Sequence, residues 1–195
     1  MKAVVFVDVQ KDFIDGALRN EKAIKVTPKI VEYAKDLMAN PVPQYKLYAT
    51  RDTHQKTEFV NKDGKAVPVN GYLASYEGVN LPVEHCIEGT DGWMIDDRLL
   101  DVINGAATYV NKPTFGSFDL GEIIKEDEEI GNFQFDEIIL LGFCTSICVV
   151  SNALLLRAKF PDKKITVIKD LCACITPESH EAALKTMQSC QITVV

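Results

Sequence analysis

Cys148 is the residue whose type and position most clearly suggest chemistry. It lies in the segment 142–149, GFCTSICV, between the apolar run 138–141 and a segment with helical character, 149–159. The apolar run is typical of a buried strand, so Cys148 is predicted in a strand-to-helix turn at or near a helix N-terminus. Free backbone N–H groups at such a turn favour a thiolate and can bind an oxyanion.

Two charged residues occupy similar positions after other predicted strands. Asp8 follows the strand 2–7, and Lys112 follows the strand 107–110. Because the carboxyl ends of parallel strands meet at one edge of a sheet, these residues and Cys148 are expected to be neighbours. The carboxylate could take the thiol proton and return it to a leaving amine, while the ammonium could lower the thiol pKa. Each residue alone is more simply structural, but three at matching strand ends favour thiol-based acyl chemistry.

A second group of residues suggests a metal site. Asp52 and His54 follow the strand 45–50, and His85 lies in EHCIEGT, 84–90. An aspartate and a histidine two residues apart, with another histidine elsewhere, suit a divalent transition metal. The D-x-H motif is weak by itself, since a pair of surface histidines explains it more simply.

Strands and helices alternate along the chain. Strands are predicted over 2–7, 45–50, 107–110, 136–141, 165–168 and 192–195, and helices over 27–39, 95–103, 120–127, 149–159 and 177–188. Residues 40–43, NPVP, are expected to end the first helix, and 51–94 is predicted to be irregular. Several strands are short runs of Val, Ile and Leu without polar alternation, which indicates burial on both faces. The prediction is one α/β domain over 1–195, a three-layer α/β/α fold with a mostly parallel six-stranded sheet.

Composition limits the classes of partner. The 195 residues carry a net charge of −7, which argues against nucleic acid or an anionic membrane. No apolar stretch approaches the roughly 18 residues of a membrane span, and the N-terminal apolar run meets Asp8 too early for a signal-peptide core. These features predict a cytoplasmic protein in which the six cysteines are reduced.

Three motifs resemble those of the isochorismatase-like cysteine hydrolases. VDVQKDF, 7–13, is similar to their D-x-Q-x-D-F opening, KPTFGSF, 112–118, to their K-x-x-x-S-x-F stretch, and 142–149 to G-x-x-T-D-x-C-V, with Ser146 in place of Asp. The resemblance runs in order across almost the whole chain. It implies a catalytic triad of Asp8, Lys112 and Cys148. It also implies a cis peptide between Phe143 and Cys144, and an oxyanion hole formed by the backbone N–H groups of Cys144 and Cys148.

The metal motif is similar to that of the nicotinamidase branch of this family. R-D-x-H followed by H-C-x-x-G-T implies that Asp52, His54 and His85 bind a zinc, iron or manganese ion. A fourth side-chain ligand varies in that branch, and Glu58, four residues after His54, is the candidate. Aromatic residues usual near the two motifs are absent at 81–84 and at Thr53, which leaves Phe13 as a possible contact to the substrate ring.

The resemblance implies a metal-containing amidohydrolase that converts nicotinamide to nicotinic acid and ammonia through a cysteine thioester, in a homo-oligomer. Another small amide or carbamoyl substrate, or a catalytically silent binding or scaffold protein, are the alternatives. The metal motif argues against isochorismate cleavage. A flavodoxin-like nucleotide binder is disfavoured because no glycine-rich phosphate loop follows the first strand, where the sequence is VQKD, 9–12.

Overall fold

Six parallel strands form the central sheet of this protein in a computed structural model, which describes residues 1–39 and 44–195. The strands of the chain are β1 Lys2–Val7, β2 Tyr45–Asp52, β3 Glu58–Lys62, β4 Lys65–Asn70, β5 Ala107–Lys112, β6 Glu137–Phe143, β7 Lys164–Ala173 and β8 Thr193–Val194. The sheet has the order β5-β2-β1-β6-β7-β8, and β3 and β4 form a separate antiparallel hairpin. The predicted helix stop at 40–43 lies outside the described residues.

Helices cover both faces of the sheet and confirm the three-layer α/β fold. They are α1 Lys11–Ile14, α2 Glu21–Met38, α3 Tyr76–Asn80, α4 Asp97–Ile103, α5 Phe118–Gly131, α6 Val150–Lys159 and α7 Pro177–Ser189. Core residues of α5, α6 and α7 pack on one face, and those of α2 and α4 pack on the other. Within the described ranges, no helix combines the length and apolar character needed to cross a bilayer.

The central strand β1 shows why the layers form. Val5 and Val7 belong to the core beneath α5, α6 and α7, whereas Val4 and Phe6 belong to the core beneath α2 and α4. All four side chains are fully buried. Successive strand residues point to opposite faces, so an uninterrupted apolar strand needs cover on both sides. Each such side chain contributes about 1.5–3 kcal/mol through burial.

The first long helix begins earlier than the sequence predicts. Asn20 caps it, because its side-chain oxygen accepts hydrogen bonds from the N–H groups of Lys22 and Ala23. Pro28, predicted in the first turn, therefore lies inside the helix. The buried residues Ala23, Thr27 and Ile30 lie on one face of α2, and their burial outweighs the cost of the proline.

The segment 51–94, predicted to be irregular, contains ordered elements. The β3–β4 hairpin turns at Asp63 and Gly64, both with positive φ (52° and 79°). An Asp-Gly pair is a strong signal for a two-residue hairpin turn because both positions need φ above zero. A 3₁₀ turn at Tyr72–Ala74 and the short helix α3 follow the hairpin. The sequence therefore held a hairpin signal that the composition of the segment concealed.

Candidate active site

The sheet order places the ends of β1 and β6 at the point where the connections reverse direction. Val7 at the end of β1 pairs with Thr50 of β2 on one side and with Gly142 of β6 on the other. Gly142 has φ of 123°, and a Cβ there would lie 2.1 Å from the Val7 carbonyl oxygen. Only glycine permits this approach. Asp8 and the turn containing Cys148 therefore flank the crevice where parallel sheets bind ligands.

Lys112 connects the charged side chains at this edge. Its Nζ lies 2.7 Å from Asp8 Oδ2, 3.4 Å from Asp52 Oδ1 and 3.7 Å from Cys148 Sγ, and it donates a hydrogen bond to the Thr114 carbonyl at 3.1 Å. The side chain is 1 % exposed, so these contacts are made away from bulk solvent. The structure thus brings together the thiol, the carboxylate and the ammonium that the sequence placed at three strand ends.

At both Asp8 and Lys112, burial and the neighbouring charges shift the pKa in opposite directions. Burial lowers the pKa of Lys112, but the charges of Asp8 and Asp52 oppose it, so the pKa is raised and the ammonium keeps its proton. Burial raises the pKa of Asp8, against the neighbouring Lys112 charge. Asp8 Oδ1 accepts a hydrogen bond from Thr50 Oγ1 at 2.6 Å. Asp8 Oδ2 faces the Lys112 ammonium at 2.7 Å, so the carboxylate is held between Thr50 and Lys112.

The Cys148 thiol differs from the thiolate that the sequence predicts. It is 4 % exposed, and burial, reinforced by the Asp8 carboxylate, raises its pKa well above the usual value despite Lys112. The residue lies inside a π-helical turn, Thr145–Val149, that precedes α6. A neighbouring helix and an ammonium do not compensate for the loss of water around the sulfur. The structure therefore favours a protonated thiol with a carboxylate beside it.

Cys144 anchors the turn that carries Cys148. The peptide bond between Phe143 and Cys144 is cis, as the resemblance implies. The Cys144 carbonyl accepts hydrogen bonds from the N–H groups of Ile147 and Val149, at 3.0 and 3.1 Å. Asn152 donates to the Cys148 carbonyl at 2.8 Å and ties the turn to α6. The use of the Cys144 and Cys148 amides as an oxyanion hole stays a prediction.

A cluster of four possible metal ligands lies next to Lys112. Asp52, His54, Glu77 and His85 each offer one ligand atom, and these atoms lie within 4.8 Å of one another. His54 Nε2 is 3.0 Å from Asp52 Oδ2, and His85 Nε2 is 3.4 Å from the same oxygen. Two imidazoles and two carboxylates form a donor set that suits zinc, iron or manganese. The chemistry of the cluster therefore fits the divalent ion expected from the sequence.

Surrounding contacts orient the histidines toward the cluster. His85 Nδ1 lies 2.9 Å from the Val83 carbonyl, so Nδ1 carries the proton and Nε2 offers its lone pair to the cluster. Burial lowers the pKa of His85, but hydrogen bonds to Asp52 and to Val83 outweigh it and raise the pKa. Burial and the Asp52 charge raise the pKa of Glu77. Without a cation, the cluster concentrates negative charge, which a metal ion would neutralise.

Glu58, predicted as the fourth ligand, lies outside this cluster. It is exposed on β3, where its carboxylate accepts a hydrogen bond from Asn70 Nδ2 at 3.4 Å. The position four residues after His54 suits a helix, but the chain enters an extended strand there and carries Glu58 away. Glu77 takes the place beside the histidines because Ser75 caps α3, with Ser75 Oγ accepting from the Gly78 N–H.

A cleft of about 1030 Å³ opens next to the triad and the four candidate metal ligands. Its lining includes Lys112, His54, Glu77 and three aromatic residues that the sequence analysis did not assign, Tyr72, Tyr76 and Phe115. Phe13, predicted as a ring contact, is absent from the described lining. It lies on α1 and packs against the His85 ring, with centroids 5.6 Å apart. Aromatic walls therefore exist, but they come from other segments than expected.

The family model described as the isochorismatase domain matches residues 2–195. The chain belongs to the isochorismatase family. It is an isochorismatase-family hydrolase with a mixed α/β fold, as the three sequence motifs implied. No curated protein matches its sequence.

Solved structures with the same fold cover the full length of this isochorismatase-family hydrolase. A nicotinamidase/pyrazinamidase from Bacillus subtilis is 25% identical, with a TM-score of 0.76, covering 100% of this chain and 98% of its own. A pyrazinamidase from Pyrococcus horikoshii in complex with zinc is 24% identical, with the same TM-score and the same coverage of both chains. The yeast nicotinamidase bound to nicotinaldehyde is 20% identical, with a TM-score of 0.74, covering 100% of this chain and 99% of its own.

Two residues of the first motif position the segments that carry the candidate metal ligands Asp52 and His85 in this family member. Gln10 is fully buried and clamps Asp52: its side chain accepts from the Asp52 N–H at 2.7 Å and donates to the Asp52 carbonyl at 2.9 Å. Asp12 accepts from the Cys86 N–H at 2.7 Å, where Cys86 has φ of 47° directly after His85. The sequence showed both residues in the opening motif, but their partners are distant along the chain.

Proposed function

We propose that this isochorismatase-family hydrolase is a metal-dependent nicotinamidase, which hydrolyses nicotinamide to nicotinic acid and ammonia. The observation that carries the proposal is the position of Lys112. Its Nζ contacts Asp8 and Cys148 and also the metal-cluster residue Asp52. An acyl-transfer triad and a site for a ring-binding cation thus share one charged side chain at one cleft. The nicotinamidase/pyrazinamidase similarity supports the same reaction.

The first half of the reaction transfers the acyl group to sulfur. The Cys148 thiol gives its proton to Asp8 as Sγ forms a bond to the amide carbonyl carbon. Burial raises the pKa of the Cys148 thiol, and burial also raises the pKa of Asp8, which makes this carboxylate a stronger base for the thiol proton. Asp8 then protonates the leaving nitrogen, the carbon–nitrogen bond breaks, and ammonia departs from a thioester.

Water completes the reaction. Asp8, again a carboxylate, takes a proton from water as the oxygen attacks the thioester carbon. When the carbon–sulfur bond breaks, Asp8 gives this proton to Cys148, which leaves as the thiol. Lys112 holds Asp8 in place through both halves, and backbone N–H groups of the turn would bind the oxyanion. A divalent ion held by Asp52, His54, Glu77 and His85 would supply Lewis acidity toward a pyridine nitrogen or a water molecule.

Ammonia release from a panel of amides tests this proposal. The panel contains nicotinamide, pyrazinamide and a small carbamoyl compound, and the proteins are wild type, Cys148→Ala and the exposed-cysteine control Cys190→Ala. We expect nicotinamide turnover by wild type and Cys190→Ala, and its loss in Cys148→Ala. Absence of turnover on every amide by metal-loaded wild type would contradict the proposal.

A second candidate is a hydrolase of a larger amide or carbamoyl compound. The cleft of about 1030 Å³ exceeds the space needed by a single pyridine ring, and Asn70, Asn80 and Asn111 add polar groups to its lining. Such groups could bind a polar substituent beyond the scissile amide. Turnover of the carbamoyl compound without turnover of nicotinamide would favour this candidate.

A further inference from the structure

A second pair of sulfur atoms lies beside the turn that carries Cys148. Cys144 Sγ is 3.4 Å from Cys174 Sγ, although the residues are thirty positions apart. Cys174 Sγ also lies 3.0 Å from Ser146 Oγ and 3.1 Å from Ser179 Oγ. One thiol and two hydroxyl groups thus lie within hydrogen-bonding distance of the Cys174 sulfur. The proposed amide hydrolysis uses neither of these two sulfurs.

The surroundings make the two cysteines chemically unequal. The hydrogen bond from Cys144 lowers the pKa of Cys174 to about 4, with help from Ser146 and Ser179 and against the effect of burial. The same hydrogen bond, with burial, raises the pKa of Cys144. These opposite directions favour a thiolate at Cys174 in contact with a thiol at Cys144. A thiolate next to a thiol is the arrangement from which peroxides form disulfides.

The other buried cysteines do not share this character. Burial raises the pKa of Cys172 to about 12, although Cys172 is only two residues from Cys174. Burial also raises the pKa of Cys148. Cys174 itself is 1 % exposed, but Cys144, Ser146 and Ser179 around it are half-buried and Ile175 is exposed. A small oxidant can therefore reach the pair from the side of these residues.

We propose that Cys144 and Cys174 form a site of reversible oxidation, at which a hydroperoxide such as hydrogen peroxide closes a disulfide bond. The Cys174 thiolate attacks one peroxide oxygen, the oxygen–oxygen bond breaks, and the hydroxide that leaves takes up a proton to become water. Cys174 is then a sulfenic acid. Cys144 sulfur attacks the Cys174 sulfur, the sulfur–oxygen bond breaks, and the thiol proton leaves with the oxygen as a second water.

The disulfide would change the active-site turn. A disulfide bond is about 2.0 Å long, so the sulfurs must approach each other from 3.4 Å. The Cys144 carbonyl holds the N–H groups of Ile147 and Val149, so a displacement of Cys144 also moves the residues around Cys148. Turnover of the amide substrate, whatever that substrate is, falls while the bond is closed and recovers on reduction.

Thiol counting and peptide mapping test the site without reference to any activity. Cys144 and Cys148 share the tryptic peptide 126–157, and Cys172 and Cys174 share the peptide 170–185. Wild type, Cys144→Ser, Cys174→Ser, Cys148→Ser and Cys172→Ala are each treated with hydrogen peroxide and mapped with and without dithiothreitol. Thermal unfolding under reducing conditions checks that each variant is folded, and Cys174→Ala replaces Cys174→Ser if the serine variant is not.

We expect wild type to lose two of its six thiols and to yield the peptides 126–157 and 170–185 joined by a reducible bond. The joined peptide should persist in Cys148→Ser and Cys172→Ala and disappear in Cys144→Ser and Cys174→Ser. A joined peptide that survives in Cys144→Ser or Cys174→Ser would overturn the proposal. So would oxidation confined to Cys148, with no joined peptide in wild type.

Discussion

Lys112 supplies the positive charge that neutralises buried carboxylates in the active site. It is the one ammonium in contact with two buried carboxylates, Asp8 and Asp52, within the described part of the chain. Removing one partner of a buried ion pair costs about 3–5 kcal/mol, because the other charge is left uncompensated. The same side chain opposes the burial that raises the pKa of Cys148. Its loss should therefore be visible at the thiol as well as in stability.

Replacement of Lys112 by methionine should move the alkylation of Cys148 to higher pH. The thiol reacts as thiolate, and without the ammonium the burial and Asp8 that raise its pKa act unopposed. At a fixed pH below the thiol pKa, we expect the rate to fall about tenfold or more, which corresponds to one pKa unit. Iodoacetamide labelling followed by mass spectrometry of the Cys148 peptide measures the profile.

Lys125→Met is the matched control, since Lys125 is exposed on α5 and forms a salt bridge with the exposed Glu129. It should leave the alkylation profile in place. An unchanged profile in Lys112→Met would show that Lys112 does not influence the thiol.

Glu77 and Glu58 differ in their expected effect on zinc affinity. Glu77→Gln should weaken zinc binding about tenfold or more, because a carboxylate in the cluster becomes a neutral amide. Glu58→Gln, a change to the exposed residue on β3, should leave the affinity unchanged. Competition with a chelating dye measures both affinities. An affinity of Glu77→Gln equal to that of wild type would remove Glu77 from the candidate ligands.

Between single residues and the whole sheet, short elements decide which side chains reach the cleft. The β3–β4 hairpin is almost entirely exposed, whereas α3 directly after it supplies Glu77. The ends of the hairpin segment adjoin each other, since a Cβ on Gly71 would lie 2.2 Å from the Lys56 carbonyl oxygen. The hairpin therefore leaves and rejoins the domain at one place, and we expect α3 to keep its position without it.

Replacement of residues 58–70 by a two-residue Gly-Ser linker should leave the domain folded. Because the hairpin buries little apolar surface, we expect the free energy of unfolding to change by less than about 1 kcal/mol, and zinc affinity to be retained. Urea unfolding and the dye competition measure the two quantities. The same deletion combined with Glu77→Gln is the control and should lose affinity. Loss of zinc binding in the deletion alone would show that the hairpin positions the cluster.

For the molecule as a whole, the four candidate metal ligands come from three separate parts of the chain. Asp52 and His54 lie at and after the end of β2, Glu77 lies on α3, and His85 lies in the segment before α4. Bound metal would stabilise the native state because the unfolded chain does not hold these ligands together. Stability and metal binding should therefore be linked.

Zinc at a free concentration 100 times its dissociation constant should stabilise the protein by about 2.7 kcal/mol. For a domain of this size that corresponds to a rise in Tm of about 5–10 °C. Differential scanning calorimetry of protein treated with a chelator and then reloaded measures the shift. His85→Ala should show none of it, whereas the exposed-residue control Glu58→Gln should show all of it. A Tm that does not respond to zinc in wild type would contradict the linkage.

The sequence alone determined the layers of the fold and the residues that are candidates for catalysis. Uninterrupted apolar strands such as 2–7 and 138–141 can only be buried on both faces, so the parallel sheet follows from local pattern. The rule that strand ends meet at one edge then placed Asp8, Lys112 and Cys148 together. Such conclusions depend on residues near each other in sequence and on a general property of sheets.

Only the tertiary structure decided which carboxylate lies beside the two histidines, how deeply the thiol is buried and which residues form the walls of the cleft. Glu77, and not Glu58, lies beside the histidines because a hairpin intervenes, and Tyr72, Tyr76 and Phe115 line the cleft where Phe13 was expected. Those outcomes depend on the paths of loops. The Cys148 pKa depends on how much water is excluded around one sulfur atom, and the Cys144–Cys174 contact depends on two turns thirty residues apart. Distances of a few ångströms between remote segments control all of these, and local sequence does not specify them.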